Sequence, residues 1–326
     1  MPELSGRTIL VTGGAGAIGG HLVRALAALG NRVIVLDDLS SGRAANVPRL
    51  PDVELRVGSI VDAALVEEIF STARIDIVFH LAALFANQNS LEHPEEDLIT
   101  NALGTVRMLE ASRRYKVKRF LYASSSCIYG DQDSRADAVT RIDTPYAISK
   151  MSGEAYVHYY GRRQGVPATI VRYFNSFGPH DLPGPYRSVI PNFLARAIAG
   201  LPLVVTGTGR ETRDFTYVED IVAGTLLAAA SDVAVGQVFD IGSGRETEIA
   251  ALAEQINVIA RNRAGIQFAE RRSWDGIARR YANLEASRRA FGYAPAVTIE
   301  EGLRRTHEWM LEELVPLGTT RDASGV

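Results

Sequence analysis

The sequence contains a single cysteine, Cys127, among its 326 residues. One cysteine excludes an intrachain disulfide and a cysteine-based zinc site, and no other metal site is predicted. There is no excess of positive charge, since the net charge is −3, so nucleic acid is not an expected partner. No apolar run reaches about 18 residues and no signal pattern opens the chain, so we expect a cytoplasmic protein with no membrane partner.

Lysine is also scarce. The sequence has only Lys116, Lys118 and Lys150, and arginine carries almost all of the positive charge. Genomic base composition explains the general bias. It does not explain why one of the three lysines stands four residues after a tyrosine in the segment YAISK.

Short apolar runs alternate with helical patterns through the first half of the chain. The patterns predict strands at 8–11, 32–36, 53–57, 75–81, 119–123 and 168–172, and helices at 18–29, 96–115 and 146–163. This alternation predicts an α/β fold with a Rossmann-type, doubly wound parallel sheet over residues 1–174. The regular alternation of strands and helices ends after Phe174. This change predicts a smaller mixed α/β lobe over 175–316, with some segments returning to the first domain. We expect the tail 317–326 to be frayed.

The segment TGGAGAIG (12–19) joins the first predicted strand to the first predicted helix. Glycines there permit a tight turn, close approach of the backbone to a pyrophosphate, and close packing of helix on strand. An acid, Asp37, follows at the end of the second predicted strand. A carboxylate at that position accepts hydrogen bonds from ribose hydroxyls and repels a 2′-phosphate, which favours NAD over NADP.

Tyr146 and Lys150 lie four residues apart, and this spacing puts both on one face of a helix. We expect the lysine ammonium to lower the pKa of the tyrosine phenol towards working pH. The serine-rich segment SSSCIYG (124–130) precedes the pair and follows the fifth predicted strand. Ligands of doubly wound sheets bind at that end of the strands, so a catalytic site is predicted there.

These segments, together with NALGT (101–105), RYFNSFGP (172–179), RDFTYVEDI (213–221) and VFDIGSG (238–244), resemble the extended short-chain dehydrogenase/reductase family. Within that family the sequence is similar to the nucleotide-sugar epimerases and dehydratases of the UDP-glucose 4-epimerase type. The resemblance covers residues 8–310. It implies NAD as cofactor, a nucleotide-diphosphate sugar as substrate, and a homodimer formed by the helices near 96–115 and 146–163.

The resemblance also implies roles for individual positions. It assigns catalysis to Tyr146, Lys150 and Ser125. The implied NAD contacts are Gly13, Gly16, Ala17, Ile18, Asp37, Asp38, Leu39, Ser40, Gly42, Ser59, Ile60, Leu81, Ala82, Ala83, Tyr146, Lys150 and Phe174. The implied substrate contacts are Ser125, Cys127, Tyr146, Asn175, Val189, Arg213, Arg272 and Asp275. Arginine suits a pyrophosphate because its guanidinium offers paired donors.

The implied first step is oxidation of the sugar C4 hydroxyl, with Tyr146 taking the proton and NAD the hydride. A 4-epimerase then returns the hydride to the other face of the 4-keto sugar. Dehydratases of the family carry an Asp-Glu pair, and decarboxylases a Glu, where this sequence has Ser126 and Cys127. We therefore expect a 4-epimerase.

Three alternatives stay open. The segment around Cys127 also resembles GDP-fucose synthase, in which a cysteine serves as acid/base in C3 and C5 epimerisation, so an epimerase or reductase of a 4-keto sugar is one. That chemistry needs a second acid/base, a histidine at the position where this sequence has Ser188. The others are a nucleotide-sugar dehydratase and an NAD-binding regulatory protein without catalysis.

Overall fold

The structure is a computed structural model that describes residues 2–85, 87–131, 142–272 and 275–314. Along the described chain the strands are β1 (Thr8–Thr12), β2 (Arg32–Asp37), β3 (Val53–Val57), β4 (Ile77–His80), β5 (Arg119–Ser125), β6 (Ala168–Tyr173), β7 (Ser176–Phe177), β8 (Leu203–Thr206), β9 (Thr212–Arg213), β10 (Thr216–Tyr217), β11 (Val238–Ile241), β12 (Thr247–Glu248), β13 (Ile266–Ala269) and β14 (Arg279–Arg280). The α-helices are α1 (Ala17–Ala28), α2 (Ala63–Thr72), α3 (Asn87–Glu92), α4 (Pro94–Asp97), α5 (Gly104–Arg114), α6 (Pro145–Gln164), α7 (Val189–Ile198), α8 (Val218–Ala230), α9 (Ile249–Ile259), α10 (Glu285–Phe291) and α11 (Ile299–Leu314). The predicted frayed tail, 317–326, falls outside the described residues.

A seven-stranded sheet organises the fold, with the order β3-β2-β1-β4-β5-β6-β11. Every neighbouring pair in it is parallel. The chain builds outward from β1 to β3 and then returns to the other side of β1 with β4, so the strand order reverses between β1 and β4. The predicted doubly wound Rossmann-type sheet is therefore found. In such sheets a crevice opens at the reversal, beyond the carboxyl ends of the strands.

The continuous apolar runs of the strands reflect burial on both faces of this sheet. In β1, Ile9 and Val11 belong to the core on one face and Leu10 to the core on the other. In β5, Leu121 and Phe120 divide in the same way. Strand side chains alternate between faces, so a strand covered by helices on both sides needs apolar residues at successive positions.

The helix predicted over 96–115 is broken in the structure. It starts with α4, continues through a π-helical segment at Leu98–Leu103, and ends with α5. The widened turn carries Asn101, whose side-chain amide forms hydrogen bonds with the backbone N and O of Leu84. Apolar periodicity does not report a single π turn, because the turn shifts the helical phase by only one residue.

Helix α6 agrees closely with its prediction because strong local signals stand at both ends. Thr144 caps its N-terminus by accepting a hydrogen bond from the backbone N of Ala147, and Pro145 occupies the first turn. Gly165 ends the helix at a φ of 72°, a left-handed conformation that suits glycine. None of the described helices is both long and apolar enough to cross a membrane.

Most elements after Phe174 pack around a separate apolar cluster, which includes Phe193, Leu203, Leu252 and Leu303. The exceptions return to the main sheet: β11 pairs with β6, and α8 contributes Ile221 to the core on one sheet face. A small sheet of order β12-β9-β14 belongs to the later part of the chain. It faces the carboxyl ends of the main strands across a cavity.

The close packing of α6 on the main sheet leads to a prediction. A Cβ added at Gly153 would lie 2.1 Å from the Tyr122 hydroxyl, whereas one added at Gly161, on the same helix, meets nothing nearer than 3.6 Å. Tyr122 is buried and rigid, so we expect Gly153→Ala to lower the free energy of unfolding by about 1–3 kcal/mol. Gly161→Ala should be neutral or stabilising by up to about 1 kcal/mol through helix propensity. Denaturant unfolding of both variants measures the difference, and equal stabilities would contradict the packing.

Candidate active site

A cavity of about 1150 Å³ opens beyond the carboxyl ends of the main strands and is lined by both parts of the chain. Its lining contains nearly all of the residues singled out in the sequence. Those residues are Gly13, Gly16, Ala17, Ile18, Asp37, Asp38, Ser40, Gly42, Ser59, Ile60, Leu81, Ala82, Ala83, Ser125, Cys127, Tyr146, Lys150, Asn175, Val189, Arg213, Arg272 and Asp275. Residues far apart in the sequence therefore share one site.

Two of the expected NAD contacts, Phe174 and Leu39, do not line the cavity. The Phe174 side chain is fully buried in the core on one sheet face and packs near the ring of Tyr129. Leu39 has a φ of 61° and its side chain packs against the same core. Both side chains therefore belong to the core next to the site, and the NAD contacts expected at these two positions stay predictions.

The glycine-rich turn between β1 and α1 fits a bound pyrophosphate. Gly16 is the N-cap of α1 and, having no side chain, leaves the first helical N–H groups without a side-chain cap. Those groups belong to residues on the cavity wall, where a helix N-terminus attracts an anion. Gly19 has to be glycine for packing, because a Cβ there would lie 2.1 Å from the carbonyl oxygen of Gly13.

Asp37 ends β2 on the cavity wall, as the sequence predicted. Its two carboxylate oxygens accept hydrogen bonds from the backbone N of Ala15 and of Leu39, both at 2.9 Å. Each oxygen keeps a lone pair for a ribose hydroxyl. Burial raises the pKa of Asp37 above its usual value, and the two backbone donors act in the opposite direction.

A buried histidine joins the loops on the two sides of the strand reversal. His80 Nδ1 lies 2.7 Å from Thr12 Oγ1, and its Nε2 lies 3.0 Å from Thr105 Oγ1. Thr105 donates to the carbonyl oxygen of Asn101, so it accepts from His80 Nε2, and Thr12 donates to Nδ1. Burial lowers the pKa of His80 to about 3, so the ring is neutral and serves as a structural link. The same Thr12 oxygen accepts a hydrogen bond from the backbone N of Ala82 on the cavity wall.

Tyr146 and Lys150 both project from the first turns of α6 towards the end of β5. Lys150 Nζ donates to the carbonyl oxygen of Ala123 at 2.6 Å and lies 4.6 Å from the centre of the Tyr122 ring. Burial lowers the pKa of Lys150 to about 8, while Glu154 and Asp97 act to raise it. The lysine therefore stays mostly protonated at neutral pH.

The expected lowering of the tyrosine pKa is not found. Burial raises the pKa of Tyr146 well above its usual value, and neighbouring Cys127 and Tyr122 add to this effect, while a hydrogen bond with Ser125 opposes it. The ammonium of Lys150 donates to the carbonyl oxygen of Ala123, and burial outweighs any stabilisation of the phenolate. The phenol is therefore held protonated until positive charge comes closer to its oxygen.

A buried carboxylate stands behind this pair. Asp97 Oδ2 accepts hydrogen bonds from Asn101 Nδ2 at 2.6 Å and from Ser149 Oγ at 3.2 Å. Its other oxygen, Oδ1, is buried with no hydrogen-bond partner among the described residues. Burial raises the pKa of Asp97 above its usual value. Sequence analysis did not single out this residue, because nothing local distinguishes it from the other acids of the segment HPEED (93–97).

Cys127 follows Ser125 in a short 3₁₀ turn, and its backbone N donates to Ser125 Oγ at 3.2 Å. Its side chain packs with Tyr146 and Ala147 and also lies on the cavity wall. No carboxylate occupies its position or that of Ser126. Among the described residues, no three histidine, cysteine or acidic side chains cluster as a metal site would require.

The far end of the cavity carries the predicted substrate residues. Arg213 ends β9 and forms an ion pair with Asp275, with Nη2 and Oδ1 3.1 Å apart. Arg272 precedes Asp275 in the same loop and lines the same wall. Asn175 has a φ of 24° and donates to the carbonyl oxygen of Asp214, which holds its loop against the small sheet. Val189 opens α7 on the opposite wall.

The structure adds lining residues that sequence analysis missed. The charged residues among them are Glu96, Asp181, Arg187, Arg196, Glu211, Arg271 and Arg280. Each stands in a loop, a two-residue strand or a helix whose orientation depends on long-range packing. Arg280 differs from Arg279 only in the face of β14 on which its side chain lies. A two-residue strand has no sequence signature, so the sequence does not show which of the two arginines faces the cavity.

The chain is similar in sequence and in structure to proteins that are already known. The profile of the NAD dependent epimerase/dehydratase family matches residues 9–242. A UDP-N-acetyl-alpha-D-glucosaminuronate decarboxylase from Bacillus cytotoxicus is 34% identical over 323 residues, covering 93% of this chain and 97% of that protein.

Two solved structures are also similar. An epimerase from Methanothermobacter thermautotrophicus is 41% identical, with a TM-score of 0.92 over 96% of each chain. The UDP-glucose 4-epimerase of Thermotoga maritima, solved with UDP-glucose, is 35% identical, with a TM-score of 0.89 over 94% of this chain and 99% of that one. Epimerases and a decarboxylase are thus all similar to this chain, so similarity alone does not select the reaction.

The buried carboxyl of Asp181 leads to a prediction about pH and stability. Burial raises the pKa of Asp181 to about 6 from an ordinary value of 3.8. A group whose pKa is raised by folding stabilises the folded state at low pH and loses that contribution as the pH rises through 6. We therefore expect Asp181→Asn to raise the free energy of unfolding by about 1–3 kcal/mol at pH 7, and by almost nothing below pH 4.

Denaturant unfolding between pH 4 and pH 8 measures this difference. Asp52→Asn, in the exposed turn before β3, is the control for losing one negative charge. A difference that does not change with pH would contradict the assignment.

Proposed function

The chain belongs to the NAD-dependent epimerase/dehydratase family, and on that premise we propose that it is a nucleotide-sugar 4-epimerase acting on a UDP-sugar. The supporting observation is the composition of the wall around Tyr146. The hydroxyls of Tyr146 and Ser125 lie on this wall within interaction range of each other, and the two positions after Ser125 carry no carboxylate. This wall can move one proton at a sugar hydroxyl, and neither position 126 nor position 127 offers a carboxylic acid for elimination or decarboxylation.

In this proposal Ser125 and Tyr146 act on the C4 hydroxyl of the sugar. Ser125 Oγ orients the hydroxyl, and Tyr146 Oη takes its proton and later returns it. NAD supplies the acceptor that takes a hydride from C4 and gives it back. Because the pKa of Tyr146 is raised by burial, the proton transfer needs positive charge nearby, and Lys150 is the cation of this chain placed to provide it.

The rest of the cavity serves binding. Arg213 and Arg272 suit the diphosphate of the substrate, and the half-buried acid Asp275 suits ribose hydroxyls. The uncapped first turn of α1 and the carboxylate of Asp37 suit the pyrophosphate and ribose of NAD. Burial of Tyr146, Lys150 and Ser125 keeps water from the reacting atoms.

A second candidate is an epimerase that acts at C3 or C5 of a 4-keto sugar. It is favoured by Cys127, which is buried against Tyr146 on the cavity wall. Its thiol could exchange a proton with a carbon next to the ketone. The serine at position 188 weighs against it, because the hydroxyl is engaged with the carboxyl of Asp181 and is a poor acid/base.

We also propose a homodimer, formed by α6 and the segment Leu98–Leu103 packed beside it. These elements expose a run of large apolar side chains, namely Leu98, Ile99, Leu103, Ile148, Tyr156 and Tyr159. Tyr159 is 50% exposed and Leu98 56% exposed. A contiguous apolar patch of this kind marks an interface, and a second copy of the chain with the same two elements is self-complementary to it.

The reaction is tested by proton NMR in D₂O, with UDP-glucose and other nucleotide sugars and no added cofactor. We expect a new 4-epimer that keeps its ring protons, because the hydride leaves and returns within one active site. We expect Tyr146→Phe to retain NAD while its turnover falls at least about a thousandfold, because one general acid/base contributes about 10²–10⁴. Wild-type turnover in the Phe variant would contradict the role of Tyr146.

The same spectra separate the candidates. Deuterium entering at C3 or C5 would support the second candidate and identify Cys127 as its acid/base, provided that Cys127→Ser abolishes the exchange. Release of carbon dioxide or of water from the sugar would contradict both epimerase proposals.

The dimer is tested by sedimentation velocity. We expect Leu103→Arg with Tyr156→Arg to convert the dimer to a monomer, because two charges would be buried in each copy of the interface. Val258→Arg with Phe268→Arg, at exposed apolar positions of the other part of the chain, should leave the dimer intact. A monomeric wild type would overturn the proposal.

A further inference from the structure

A buried arginine on the cavity wall has no hydrogen-bond partner for two of its nitrogens. Arg280 is only 5% exposed, and both its Nε and its Nη1 are buried without an acceptor among the described residues. It lines the same cavity as the proposed active site. A buried guanidinium left in this state is costly, because its donors have lost water and gained nothing in return.

The strand pairing explains where this side chain points. In the small sheet, β14 runs parallel to β9, with Arg280 opposite Arg213. Residues opposite each other in a sheet place their side chains on the same face, so both guanidinium groups are directed to the cavity. Arg279, the preceding residue, is on the other face and forms an ion pair with Glu246.

Acids lie near both arginines, but they leave two donors of Arg280 without an acceptor among the described residues. Asp275 pairs with Arg213. Asp143 is within electrostatic range of Arg280, but it forms no hydrogen bond with Nε or Nη1. The charge of Arg280 lowers the pKa of Arg213 in addition to the effect of burial, as expected for two cations held side by side. A pair of buried cations with free donors is suited to an anion that has several acceptor oxygens.

We propose that Arg280 binds an oxyanion of the substrate jointly with Arg213. The inference rests on the proposed function, since it takes the substrate to be a nucleotide-diphosphate sugar. Two oxyanions of such a molecule fit: a diphosphate oxygen, or a carboxylate carried by the sugar. Arg213 lies within electrostatic range of Cys127, which packs with Tyr146.

Calorimetric titration of the NAD-loaded protein tests this role with three ligands: UDP, UDP-glucose and UDP-glucuronate. The variants are Arg280→Gln, which removes the charge, and Arg280→Lys, which keeps the charge without the fork of donors. Arg279→Gln is the matched control, because it removes the same charge from the same strand but on the opposite face. NAD affinity shows that each variant retains its fold.

We expect Arg280→Gln to weaken at least one ligand tenfold or more, the effect of losing a hydrogen bond to a charged group, with Arg280→Lys in between and Arg279→Gln unchanged. An equal loss for all three ligands identifies the diphosphate as the oxyanion. A loss confined to UDP-glucuronate identifies a sugar carboxylate, and with it an acidic sugar as the substrate class.

The melting temperature measured without nucleotide sugar separates a binding role of Arg280 from a structural role. Removing an unpaired buried cation should leave the melting temperature of Arg280→Gln equal to or above that of the wild type. The inference is overturned if Arg280→Gln binds all three ligands with affinities within tenfold of the wild type. A lower melting temperature of that variant would then show that Arg280 has a structural role. If the wild type binds none of the three ligands, the proposed function fails and this inference fails with it.

Discussion

The reversal of strand order between β1 and β4 is the constraint on which the rest of the structure depends. Two neighbouring parallel strands send their chains to opposite faces of the sheet, so a crevice must open between the loops that follow them. His80 holds this crevice in a fixed shape, because its two ring nitrogens connect Thr12 at the end of β1 with Thr105 at the start of α5. A neutral, fully hydrogen-bonded ring can do this inside a core without the cost of burying a charge.

The proposed chemistry uses ionisable side chains that are buried, although burying a charged group usually destabilises a protein core. Burial lowers the pKa of Lys150 to about 8 and raises that of Tyr146, so each group is moved away from its charged form. Asp97 restrains the shift of the lysine and positions Asn101 and Ser149 around it. In the proposed reaction, a bound cofactor and substrate change the local charge and allow the proton transfer, and the surrounding helices hold the buried groups in place at a cost in stability.

Much of this fold could be predicted from the sequence, because the signals for its strands and helices lie within a few residues of each other. Strands β1, β2, β4, β5 and β6 each contain a continuous apolar run, and α1 and α6 carry glycine, proline or threonine at their ends. The same reasoning found most of the cavity wall, because carboxyl ends of parallel strands meet at one edge. It failed at the π turn before α5 and at the direction of the tyrosine pKa shift. Each of those outcomes depends on neighbours from other parts of the chain.

The sequence by itself determined the class of fold, the glycine-rich turn and the spacing of Tyr146 and Lys150, since these follow from periodicity, chain geometry and turn chemistry within a few residues. Only the tertiary structure decided which charges meet. Arg213 and Arg280 come together through strands two residues long, Asp275 reaches Arg213 from a loop, and Lys150 turns to the carbonyl of Ala123 at the end of β5. Burial and pairing of charges are set by atoms distant in sequence, so the affinity, the substrate preference and the pKa values of this site are properties of the folded chain alone.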